Sequence, residues 1–70
     1  MNANLLKGTI VANGLTCKEM AEKIGINEAT FYRKINGKSD FFLGEIIKIC
    51  KILKITDPTP IFFANELAET

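Results

Sequence analysis

Glu28, Thr30, Tyr32, Arg33 and Lys34 crowd charged and hydrogen-bonding side chains into one short stretch of this chain. An arginine fork can donate to guanine O6 and N7, a glutamate can accept from cytosine N4, and lysines can hold phosphate oxygens. Catalytic chemistry finds no comparable set. There is no histidine, so Ser-His-Asp and Cys-His nucleophile arrangements are excluded. Cys17 and Cys50 are too few and too far apart for a zinc pattern. No Gly-rich phosphate loop and no readable catalytic carboxylate pair occurs. The expectation is recognition without catalysis, with no enzyme activity, cofactor, metal or small-molecule ligand.

The elements that must carry these residues lie in 15–37, LTCKEMAEKIGINEATFYRKING. Thr16 can N-cap a helix, with Glu19 three residues on to complete a capping box and Leu15 and Met20 at the staple positions. Met20, Ala21 and Ile24 share one face, and Gly25 ends the helix where φ must turn positive. The small Ala21 lets a second helix approach closely. Asn27 can cap that helix, Ile26 and Phe31 form its staple, Phe31 and Ile35 face inward, and Asn36-Gly37 stops it. A plain helical hairpin would use the same caps. The glycine turn, Ala21 and the polar outer face instead give the layout of a helix-turn-helix DNA reader.

These residues resemble the Cro-like, XRE-type helix-turn-helix family of phage repressors and small bacterial regulators. The family pattern is roughly L-T-Q-x-x-L-A-x-x-L-G-I-S-x-x-T-I-x-R-x-x-N-G-K. Leu15, Thr16, Met20, Ala21, Ile24, Gly25, Ile26, Asn27, Thr30, Phe31, Arg33, Asn36, Gly37 and Lys38 stand at matching places. The resemblance covers residues 4–56. It implies an all-α bundle of four or five helices, a lambda-repressor-like domain that binds double-stranded DNA as a sequence-specific transcriptional regulator, phage or prophage repressor-like. The rival reading is a protein-interaction module that keeps the fold without reading DNA. Three residues depart from the pattern. Cys17 replaces a glutamine that touches phosphate, and a thiol is a poor donor. Lys34 occupies a position often apolar, with Ile35 taking the inward role. Phe42 stands where a serine or threonine cap is common.

Carried over residue by residue, the resemblance implies base contacts from Glu28, Ala29 and Arg33, with Thr30 and Tyr32 flanking. Glu28 reads equally well as a favourable charge at a helix N-terminus. Phosphate contacts are expected from Cys17, Lys18, Lys34, Asn36 and Lys38, with backbone amides near Lys38 contributing.

The chain has 70 residues, 47% of them hydrophobic, which suits one small domain over 1–70 with a core over 4–56. The net charge is +1, but residues 1–56 carry nine Lys/Arg against five Asp/Glu, and the acidic 57–70 segment offsets a basic body. Asn2 or Asn4 can cap a first helix with Leu5, Leu6, Ile10 and Val11 inward and Gly14 as its stop. A fourth helix starts near Asp40 to Phe42. With Phe42 as its cap, Glu45 is N3, and Phe41 and Ile46 form a staple. Leu43, Ile46, Ile49, Cys50 and Leu53 would share its inner face, with Ile52 well off it and Ile47 on its edge. Cys50 there is a small core residue, and a disulfide is not expected in a reducing cytoplasm. Pro58 and Pro60 point to a turn and then a short helix, with a pairing strand as the alternative. That end is either a lid on the core or a dimer contact. A homodimer is expected, its interface drawn from Ile47, Ile52, Phe62 and Phe63. No signal peptide or membrane span is read, and the location implied is the cytoplasm of a bacterium or of a phage-infected cell.

Overall fold

Asn2, one of the two expected candidates, caps the first helix. Its side-chain oxygen accepts from the Leu5 amide at 3.0 Å, and α1 runs over Ala3–Ala12. The computed structural model describes residues 1–63, and every element in them is helical. The others are α2 (Cys17–Ile24), α3 (Glu28–Ile35), α4 (Leu43–Leu53) and a single turn, α5 (Thr59–Phe62). The expectation of four or five helices is met at five.

Local grammar sets the α2–α3 unit. Thr16 and Glu19 make both halves of the capping box, at 3.1 and 3.0 Å. Gly25 takes φ 83°, a left-handed value that costs a residue with a Cβ about 1 kcal/mol or more. Its amide and that of Ile26 both donate to the Ala21 carbonyl at 3.0 Å, which closes α2 and swings the chain into α3. The Asn27 carboxamide oxygen then accepts from Ala29 at 2.7 Å and, at longer range, from Thr30. Met20, Ala21 and Ile24 of α2 meet Phe31 and Ile35 of α3, all at 2% exposure or less.

Leu6 and Ile10 of α1 and Ile49 and Leu53 of α4 complete the centre. Three expectations fail here. Leu5 and Val11 are exposed rather than inward, because Leu6 and Ile10, four apart, already fill the narrow face of a short helix. Leu43 is 69% exposed although it belongs to the expected inner face of α4. Each three-residue step rotates a helix by about −60°, so going from Ile49 through Ile46 to Leu43 moves about 120° off the core. Ile52 errs the other way. It is half-buried and packs against the core.

The C-terminal turn is a lid on the core. The Asp57 carboxylate accepts from the Thr59 amide at 3.0 Å and sets the turn, and Pro60 enters early in α5 where no intrahelical N–H is needed. Ile61 and Phe62 are buried at 5% and 7% exposure. Phe62 meets Phe41 edge to face at 6.0 Å, and Phe41 meets Phe31 at 5.6 Å. The Asn2 amide donates to the Ile61 carbonyl at 2.6 Å, tying α5 to the start of α1. Phe62, expected at a dimer contact, is therefore buried in the monomer core, whereas Ile52 packs against the core with part of its surface still exposed. The part of the acidic segment beyond residue 63 lies outside the described residues.

Candidate nucleic-acid interface

With Phe31, Lys34 and Ile35 turned inward, the remaining residues of α3 form a continuous exposed face. At about 100° per residue, Ala29 and the cap residue Asn36 lie at its crest, Tyr32 and Arg33 on either side, and Glu28 and Thr30 at its two borders. All six are exposed. Glu28 stands in the first turn, where a carboxylate favours the helix dipole, and Arg33 stands in the last, where a cation does.

The first turn of α2 approaches this face. The sulfur of Cys17, a half-buried free cysteine, lies near the Tyr32 phenol. The phenol titrates above its ordinary value, first because of the charge that sulfur carries when ionised, then because of burial and the Glu28 carboxylate. Cys17, Glu28 and Tyr32 thus form one patch, and Lys18 is exposed beside it.

The end of α3 is closed by a complete Schellman motif. Gly37 at φ 83° donates to the Lys34 carbonyl at 3.2 Å, and Lys38 donates to the Arg33 carbonyl at 2.9 Å. The Lys38 side chain is exposed, but its amide and that of Gly37 are spent inside the turn. The backbone amides expected to hold phosphate there are not free to do so at these two residues.

Lys34 departs most from expectation. It is 6% exposed, and its Nζ lies 2.6 and 2.9 Å from the two carboxylate oxygens of Glu45. The ammonium also sits 4.1 Å from the Phe42 ring centroid and 6.0 Å from that of Phe41. A cation held this way cannot reach a phosphate, because desolvation has already been matched by an internal partner. Burial alone would raise the Glu45 carboxyl. The hydrogen bonds from Lys34 and the Phe42 amide, with the charges of Lys34 and Lys48, outweigh burial and leave it below the usual carboxylate value. Glu45 was foreseen only as the N3 residue of α4. It does fill that role, accepting from the Phe42 amide at 2.8 Å, although Phe42 has no side-chain acceptor to complete a box. The signal for the pair was the position of Lys34 three residues after Phe31, on the inward side, where a cation requires a carboxylate.

A second surface lies on the far side of α4. Leu43, Ile47 and Cys50 follow one another at four and three residues and border a shallow apolar groove closed by Ile55, Pro58 and Phe63. Leu43, Ile47 and Phe63 are 69%, 46% and 38% exposed. Burial raises the Cys50 thiol above its ordinary value, as suits a small apolar contact. Of the residues expected at a dimer contact, Ile47 and Phe63 belong to this surface, and Leu43 joins them.

No helix of the described residues is long and apolar enough to cross a membrane. The Cro/C1-type HTH DNA-binding domain family matches residues 6–61. Comparison with curated proteins and with solved structures returns no significant match.

Proposed function

The chain belongs to the Cro/C1-type helix-turn-helix DNA-binding family, and we propose that it is a sequence-specific transcriptional regulator of the phage or prophage repressor kind that reads duplex DNA through α3. The observation that carries this reading is the exposed α3 face. Ala29, Tyr32, Arg33 and Asn36 project together from a helix whose other side is locked into the core. In this reading Arg33 donates to guanine O6 and N7, Ala29 meets a thymine methyl, and Glu28, Thr30 and Tyr32 contact neighbouring base edges. Lys18, Asn36 and Lys38 hold the backbone, Cys17 lends at most a weak contact beside them because a thiol is a poor donor, and Lys34 takes no part in it. The protein acts without catalysis and without a cofactor, in a bacterial or phage-infected cytoplasm.

One α3 reads only a few base pairs, so the functional unit is a homodimer on half-sites about 34 Å apart. The groove bordered by Leu43, Ile47 and Phe63 supports this, since those side chains gain from burial against a second copy, roughly 1.5–3 kcal/mol for each one fully buried.

Selection of bound sequences from a random duplex pool tests the proposal. A two-fold motif recovered with salt-dependent affinity is the expected result. Absence of any duplex binding at low salt would move the chain to the interaction-module reading. Lys38→Ala should weaken binding to all duplexes alike and lower the salt slope by about one, which titrations of affinity against salt will read.

A further inference from the structure

Lys34 is a charged residue buried on the inward side of the proposed reading helix, immediately after Arg33. Its ammonium is gripped by both oxygens of Glu45 at the start of α4 and faces the Phe42 ring. One of those oxygens also accepts from the Phe42 amide. The segment between is fixed at its other end by the bond from Lys38 to the Arg33 carbonyl. The pair therefore closes a loop whose two ends are both pinned.

Stability is a poor explanation for such a pair. Two apolar side chains of similar volume hold a buried site at least as well, because the desolvation of two ions offsets most of their attraction. An apolar contact, however, tolerates rotation and sliding of one helix on another. A two-point bond between an ammonium and a carboxylate has a defined direction. We infer that Lys34 is a positioning residue for DNA recognition: through Glu45 it fixes the rotation of α3 and the course of residues 36–42, and so the angle at which Arg33 meets a base pair. This rests on the proposed DNA-binding reading.

The test is the double variant Lys34→Met/Glu45→Gln. It removes both charges and keeps an oxygen for the Phe42 amide. Three quantities are read: the melting curve, the affinity for the selected duplex against a random one, and the salt slope. The expected result is a folded protein that loses about tenfold on the selected duplex, with random-duplex affinity and salt slope unchanged. Equal loss on both duplexes with a slope lower by about one would make Lys34 a phosphate ligand and overturn the inference. Unchanged discrimination would overturn it as well. If the double variant unfolds, Glu45→Gln alone decides. Lost discrimination supports positioning, whereas a gain on all duplexes from a released ammonium overturns it. Amide hydrogen exchange on the DNA-free protein separates this inference from the reading beneath it. Residues 36–42 should exchange faster in the double variant while α2 does not change, and unchanged exchange would defeat the tether. Failure of the wild type to bind any duplex would defeat the DNA-binding reading instead, with the tether still decided by exchange.

Discussion

α3 and α4 share a core yet present opposite outer faces. α3 turns Tyr32, Arg33 and Asn36 outward, whereas α4 turns out Leu43, Ile47 and the edge of Cys50. The polar face costs little in water and gains only from a partner with complementary hydrogen-bonding edges. The apolar face gains from any surface that excludes water. The two faces differ in character although the helices that carry them are joined by one loop, and the proposed reading assigns nucleic acid to the first and a second copy of the chain to the other.

The comparison breaks first if its shared core is misassigned. Phe62→Ala should cost about 3–5 kcal/mol and leave the chain largely unfolded by circular dichroism, since Phe62 is buried and packs edge to face on Phe41. A folded Phe62→Ala monomer would return this residue to the outer surface. Next comes the link between the two helices. Because the folded Glu45 carboxyl titrates below its unfolded value, its contribution is complete at pH above the ordinary carboxylate range. It is lost as pH falls through that range toward the depressed folded value. Thermal melts taken from neutral pH downward should show this loss, and Lys34→Met should blunt it. The polar face is sharpened by Arg33→Ala, which should cost about 1–3 kcal/mol on the selected duplex and much less on random DNA. Equal weakening on both would make Arg33 a phosphate clamp. The smallest effect on the fold belongs to Ile47→Asp. It should change unfolding free energy by no more than about 0.5 kcal/mol while sedimentation shows loss of the pair. If the wild type sediments as a monomer and binds a single half-site, the apolar face needs another partner.

What could be read from the sequence depended on range. The Thr16–Glu19 box, the Asn27 cap, the Gly25 turn and the Asn36-Gly37 stop are interactions within a few residues of each other, and each lies where its spacing placed it. Lys34 looked like a surface cation because the carboxylate that buries it is eleven residues away, across a loop. Leu43 and Val11 looked internal because an apolar type at an approximate helical spacing does not reveal how far the helix has rotated from its core contacts. Phe62 could not be assigned because Ile61-Phe62-Phe63 has no internal pattern. Only its packing on Phe41 and the bond from Asn2 to Ile61 decide its side. The α3 face was legible for a simpler reason. Phe31 and Ile35 define the inside, and everything opposite them is outside.

Asn2 has one more consequence. Its side chain caps α1 and its amide holds α5, so a single residue fastens the start of the chain to the last turn described. Release of either element removes a restraint from the other. Local opening of the first turn of α1 should therefore loosen α5 as well, so that the two elements open together and do not fray independently.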